Sequence, residues 1–218
     1  MSLKILILVL SSKKPPYDML YQTQRDTWDA VDVMNVSSLY YWCDDFDTMI
    51  QKFATAIHAI MKWDWDFIFR TNSSSYIDKQ RLLDQAQTLP LNKAYQCIGC
   101  SGAGFFLSRD LVSDLCHDLV GHTHTHIPED VVIWQTLQAR NINLLPGAMR
   151  SDIWPRPGRV VVNDDSNVID FADEKRIKNA YHVRCKSDTS DRQKDVFAMK
   201  IVHHIKYSSK VFNQELGF

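Results

Sequence analysis

Six consecutive aliphatic residues, Ile5-Leu6-Ile7-Leu8-Val9-Leu10, constrain this chain more than any other feature. The run is far shorter than the roughly 20 apolar residues that a membrane-spanning helix needs. No small-residue cleavage pattern follows it, so it does not read as a signal peptide. Lys4 precedes it and Ser11-Ser12 ends it. A strand without polar alternation must be covered on both faces. Leu3–Leu10 is therefore predicted as a central strand, and the rest of the chain must supply layers on either side.

The pattern downstream supplies them. Ser11–Pro16 is a loop, stopped by its Pro pair, and Tyr17–Trp28 is predicted helical. Leu39–Cys43 is aromatic and short, which suits a strand. Asp44, Asp45 and Asp47 give a helix start. Met49, Ile50, Phe53, Ile57, Ile60 and Met61 then follow at helical spacing, so Asp47–Trp63 is predicted as a helix. Asp66–Arg70 is the next strand and Lys79–Thr88 the next helix. Ala94–Cys100 and Gly104–Leu107 read as strands around Ser101-Gly102-Ala103.

Ser108 caps a helix carrying Leu111, Val112, Leu115 and Leu119. Pro128 opens another, with Val131, Ile133, Trp134 and Leu137 toward the core. Ile142–Leu145 is predicted as a short strand. Beyond Pro146 the chain reads as loop-rich, since Trp154-Pro155-Arg156-Pro157-Gly158 suits neither helix nor central strand. Asp195–Tyr207 closes it as a helix. Strands alternating with helices predict an α/β sandwich with a largely parallel sheet.

The 218 residues suit one domain, and a net charge of −1 supplies no global basic field for nucleic acid or acidic membranes. Five cysteines at irregular spacing favour reduced thiols and a cytoplasmic setting. In parallel sheets ligands bind at the carboxyl ends of strands. The polar row Arg70-Thr71-Asn72-Ser73-Ser74 stands at such an end, so it is a candidate ligand shelf; a solvated strand-end turn is the alternative.

Four stretches together resemble the β-1,3-galactosyltransferase and Fringe group. Gln24-Arg25-Asp26-Thr27-Trp28 resembles its R-x-T-W. Phe67–Ser74 looks like its strand ending in a metal-binding D-D-D. Cys100–Asp110 is similar to its G-x-G-hydrophobic-S-R-D segment, and Pro128-Glu129-Asp130-Val131 to its E-D-V helix start. The likeness runs from about residue 3 to about residue 186. It implies a GT-A-like, Rossmann-type sandwich: a mostly parallel central sheet flanked by helices. Residues 1–100 would form the nucleotide-binding half and 101–218 the acceptor and catalytic half.

The resemblance further implies a hexosyltransferase-like enzyme. Its donor would be a nucleotide sugar, with UDP the expected nucleotide. Its acceptor would be a glycan or glycoprotein hydroxyl. The compact form resembles viral or microbial enzymes that modify capsids or glycans, which would place it in the host cytoplasm if viral.

The residues can support that chemistry. Asp130 is the candidate base, with inversion at the anomeric carbon, and Glu129 is the neighbouring catalytic candidate, as base or to orient the acceptor; carboxylates in a first helical turn are also ordinary dipole partners. Tyr181–Lys186 alternates, so His182, Arg184 and Lys186 share one face of an extended segment and could meet a diphosphate. An edge strand protected by its charges is the alternative. Gly102, Ala103 and Gly104 let backbone approach a ligand. Arg25 and Arg70, with Asn72, Ser73 and Ser74, complete the nucleotide-sugar set implied by the resemblance.

Mn²⁺ or Mg²⁺ is the cofactor expected of the family. Here its acids are replaced by Asn72-Ser73-Ser74, neutral donors for a hard cation. Ser74, Asp78 and His182 are the remaining metal candidates; otherwise cationic side chains replace the ion. The literal D-x-D, Asp64-Trp65-Asp66, precedes its strand and reads as a turn.

Two patterns read as decoys. His122, His124 and His126 alternate but lack a fourth ligand. Cys97-Ile98-Gly99-Cys100 has redox spacing without a following helix. A thiol-redox protein and a GT-A-like domain that binds without transfer are the rival readings.

Overall fold

The computed structural model describes residues 2–98, 101–121, 126–148, 150–152, 174–186 and 192–207. The aliphatic run becomes β1 (Ile5–Ser11), followed by α1 (Tyr17–Asp26), β2 (Val36–Trp42) and α2 (Met49–Ile60). Next come β3 (Phe67–Asn72), β4 (Ser75–Ile77), α3 (Lys79–Ala86), β5 (Tyr95–Cys97) and β6 (Gly104–Ser108). The remainder is α4 (Arg109–Asp118), α5 (Glu129–Ala139), β7 (Arg150–Asp152), α6 (Glu174–Asn179), β8 (His182–Arg184) and α7 (Gln193–Tyr207).

The main sheet has the order β2-β1-β3-β6-β5. β1 pairs in parallel with both β2 and β3, and β6 runs antiparallel to β3 and β5. Strands β2, β1, β3 and β5 therefore point one way and β6 the other. Ile5, Ile7, Val9, Phe67, Phe69 and Phe106 pack with Leu20, Trp28, Leu82 and Met199 on one face. Leu6, Leu8, Ile68, Phe105 and Leu107 pack under Ile50, Phe53, Ile57, Leu111, Leu115 and Ile133 on the other. Each large aliphatic or aromatic side chain so buried contributes about 1.5–3 kcal/mol. The sheet is thus helix-covered on both faces, as the unbroken apolar run requires.

After β3 the chain turns at Ser73-Ser74 into β4, the edge of a second sheet ordered β4-β8-β7. β8 runs antiparallel to β4 and parallel to β7. Of its strands β7 lies where the chain read as loop, β8 falls in the alternating extended segment Tyr181–Lys186, and β4 follows the polar row. Ile142–Leu145 is not a strand; there Leu145 N–H donates to the Tyr95 carbonyl at 2.7 Å. β2 begins earlier than expected, after Asn35 turns the chain at φ 68°. In α5 the buried apolar residues are Val132, Ile133 and Leu137, whereas Val131 and Trp134 stand at the margin. The helix is apolar around most of its girth, so periodicity did not choose its inner face. Among the described residues no helix is long and apolar enough to cross a membrane.

Candidate functional site

A cleft of about 470 Å³ opens at the carboxyl ends of β1, β2 and β3. Ser11 and Ser12 line it at the end of β1, Asp44 and Asp45 after β2, and Asn72, Ser73 and Ser74 after β3. Ser101, Gly102 and Ala103 enter before β6, and Glu129 and Asp130 from the start of α5. This is where a sheet of this kind places a ligand.

The polar row is a built turn. Asn72 Oδ1 accepts from Ser74 N–H and from the Ser75 hydroxyl, both at 3.2 Å. An Asx-type turn of this sort fixes the chain as it leaves the sheet. Gln24 Nε2 donates to the carbonyls of Asn72 (3.1 Å) and Ser75 (3.0 Å), and Trp28 Nε1 donates to Ser75 (3.1 Å). Gln24 on α1 and Trp28 just beyond its end thus buttress the turn from behind. Ser74 Oγ donates to Asp195 Oδ2 at 2.9 Å.

Arg70 holds the floor. Its Nε and Nη2 fork onto Glu129 at 2.9 and 2.8 Å, and both side chains are almost fully buried. Tyr41 Oη accepts from Arg70 Nε at 3.2 Å and donates to Glu129 at 3.3 Å. Burial pushes the Glu129 carboxyl up, and the Arg70 guanidinium opposes that shift. The Tyr41 hydroxyl is driven well up by burial. Arg70 Nη1 also donates to the Gly102 carbonyl. The same residue's N–H donates to Asp130 Oδ2 at 2.5 Å. The Gly102 peptide therefore links the buried ion pair to Asp130. A Cβ at Gly102 would lie 2.9 Å from Asp130 Oδ2, so a side chain there would displace the carboxylate.

The opposite wall is cationic. Arg184 and Lys186, at and beyond the end of β8, and Arg192, just before α7, all line the cleft. Arg192 Nη1 donates to Asp195 Oδ2 at 3.0 Å, the oxygen that also receives Ser74.

Other expected site residues stand elsewhere. Arg25 does not line the cleft; it points outward and pairs with Asp29 at 2.7 Å, because Leu20, Thr23 and Gln24 take the inward face of α1. Gly104 is closed off: a Cβ there would meet Phe69 and His182 at 2.7 Å. His182 lies buried behind it, with Nε2 3.0 Å from Ser75 Oγ, and is not in the lining. Burial, with Arg150 and Arg184 adding to it, drives its imidazole far below its ordinary value, so it is neutral. Asp78 caps α3 by accepting from Arg81 N–H at 3.1 Å and pairs with Lys206 at 2.9 Å. The expected metal set of Ser74, Asp78 and His182 thus has one member in the cleft. Among the described residues no group of three or more His, Cys, Asp or Glu side chains is placed to hold a metal ion.

Asp44, Asp45, Arg192 and Asp195 were not expected at the site. The two aspartates follow a strand's carboxyl end, a signal the sequence did carry. Arg192 and Asp195 had no such signal. Asp64 is exposed and pairs with Lys4, and Asp66 accepts from Lys4 N–H at 2.8 Å, both away from the cleft. His122, His124, Cys100 and Trp154 lie outside the described residues; His126 is exposed beside Asp47.

The fold is shared with a solved structure, the crystal structure of a glycosyltransferase involved in the glycosylation of the major capsid of PBCV-1. The TM-score is 0.59 at 12% identity, over 89% of this chain and 98% of that one. At that identity the likeness establishes the fold. No family model matches the chain, and no curated protein matches it in sequence.

Proposed function

We propose that this protein is a glycosyltransferase that moves a sugar from a nucleoside diphosphate sugar, with UDP as the nucleotide, to a glycan hydroxyl. The observation that carries the reading is the placement of Asp130: a carboxylate fixed at 2.5 Å by a backbone N–H in a cleft at the carboxyl ends of parallel strands. The shared fold and the motif resemblance supply the reaction class. A capsid glycoprotein glycan is the acceptor suggested by the fold neighbour, and host cytoplasm the corresponding setting.

Asp130 takes the proton of the acceptor hydroxyl. The acceptor oxygen forms its bond to the anomeric carbon as the bond from that carbon to the phosphate oxygen breaks. The electron pair leaves with the diphosphate, through an oxocarbenium-like state. A single displacement of this kind inverts the anomeric centre. Glu129, forked onto Arg70, is a positioning residue that holds the floor beneath Asp130.

The test is turnover. Purified protein is incubated with UDP-glucose, UDP-galactose and UDP-N-acetylglucosamine plus a glycan acceptor, and product anomers are read by NMR. An inverted product is expected from at least one donor. Retention would overturn the role given to Asp130. Nucleotide binding with no turnover of any donor would favour the second reading, a domain that binds without transfer, whose motive is Asn72-Ser73-Ser74 in place of acids.

A further inference from the structure

We propose that the cleft holds its diphosphate without a divalent ion, using Arg184, Lys186 and Arg192 as the counter-charge. The inference rests on the glycosyltransferase reading and concerns how that site handles its leaving group.

A hard dication takes oxygen ligands and draws its charge balance from carboxylates. The turn after β3 offers an amide and two hydroxyls. Asn72 Oδ1 already accepts two hydrogen bonds inside the turn, and Ser74 Oγ donates to Asp195. Asp195, fully buried, reaches this turn, and its Oδ2 is taken by the Arg192 guanidinium at 3.0 Å. Other acids at the cleft are held in place too. Glu129 is forked onto Arg70, Asp130 is tied to Gly102, and Asp44 accepts from Ser12 Oγ at 2.5 Å. Asp45 caps the turn at Phe46–Thr48 by accepting from Asp47 N–H.

Cations stand where the ion would be needed. Cys185 N–H donates to the Ser74 carbonyl at 2.8 Å, and Arg184 is in register with Ser75, so the cationic segment is hydrogen-bonded to the turn itself. Two-residue periodicity puts Arg184 and Lys186 on one face. Arg192 is brought to the same turn through Asp195 and Ser74. Guanidinium forks match phosphate oxygens in geometry, and an ammonium adds a point charge. Arg184 and Lys186 supply the charge that neutralises a departing diphosphate as an electrophilic metal would, and Arg192, partly balanced by Asp195, adds its remaining N–H donors.

The test is calorimetric titration of UDP, GDP and dTDP into the full chain, in EDTA and again with Mn²⁺. Affinity for the preferred nucleotide is expected to agree within about 3-fold between the two conditions. Lys186→Glu and Arg192→Ala should each weaken it by about 10-fold or more in both. Arg192 also anchors buried Asp195, so Lys186→Glu, beyond the end of β8 and only partly buried, is the second variant; circular dichroism checks the fold of each. Binding seen only with Mn²⁺ would overturn this inference and leave the glycosyltransferase reading standing. So would unchanged affinity in both variants. No nucleotide binding in either condition would overturn the glycosyltransferase reading, and this inference with it.

Discussion

On one wall of the cleft Arg70 is sealed into the protein, 3% exposed and forked onto an equally buried Glu129. On the other wall Arg184, Lys186 and Arg192 are only partly buried and border open space. The same side-chain chemistry does two jobs. A guanidinium already matched to a carboxylate in low dielectric fixes geometry and has little charge left for a ligand. Cations at a cleft wall border the space an anion would enter and are screened by salt. Counting basic residues would have merged them; burial and the bordering cleft separate them.

The largest effect is expected at Asp130, where the fixed wall meets the ligand. Asp130→Asn should lower kcat by about 10²–10⁴-fold, the usual worth of a positioned base, with nucleotide affinity little changed. Single-turnover rates and a parallel UDP titration check the split. A loss of affinity with kcat intact would make Asp130 a binding residue. Next comes the sealed pair. Arg70→Ala strands Glu129 without its partner and should cost about 3–5 kcal/mol. For a chain of this length that lowers Tm by roughly 10 °C, read by thermal denaturation. Lys186→Glu should leave Tm nearly unmoved, since surface charge contributes little to stability. Equal Tm losses in the two variants would erase the difference between the walls.

The two glycines sharpen the contrast by one methyl group each. Gly104→Ala drives a Cβ into Phe69 and His182, both buried, and should cost about 1–3 kcal/mol in urea denaturation. Gly102→Ala meets the Asp130 side chain first, at 2.9 Å. That carboxylate borders the cleft and can shift, so the expected loss is in turnover, with stability kept within about 1 kcal/mol. A destabilised Gly102→Ala with normal turnover would break the assignment.

Much of this was legible from residues 3 to 137. The unbroken aliphatic run demanded a central strand, and β1 is flanked on both sides and covered on both faces. The polar row at the end of β3 was placed at a ligand end, and it lines the cleft. The S-R-D stretch is structural where it is described. Ser108 Oγ accepts from Ala94 N–H, Asp110 accepts from Ser108 Oγ, and Arg109 stacks 4.7 Å from Trp65 and donates to the Met61, Trp63 and Trp65 carbonyls. Of the second sheet only β8 was legible, as the alternating segment Tyr181–Lys186; its pairing with β4 and β7 was not. Strands β4 and β7 are three residues long, too short for alternation to mark them, and they pair with β8 across large sequence separations. Alternation did place His182 and Arg184 on one face of β8, but it could not say that His182 would be the buried end. Arg192 and Asp195 join the site only because α7 docks against β4, a purely tertiary event.

His182 tests that buried end with the smallest effect. Its imidazole is fully buried behind Gly104 and stays neutral in the folded protein, well below its ordinary value of 6.5. The unfolded chain takes up a proton below about pH 6.5, and the folded chain does not. The unfolded state then binds more protons, so stability falls as pH drops below that value, by about 1.4 kcal/mol per unit from this group. Glu129, whose carboxyl is raised by burial, works the other way: the folded state holds its proton longer, so its contribution falls as pH rises above the ordinary carboxylate range. His203 is shifted in the same direction as His182 but is more exposed. The His182 share is therefore isolated by difference. Urea midpoints at pH 7.5 and pH 5.5 are compared for the native chain and His182→Gln, whose amide keeps a donor toward Ser75 Oγ. The native chain should lose about 1 kcal/mol more than the variant between those two values. An equal acid response in both would mean that His182 protonates in place, and that the face of β8 is open along its whole length.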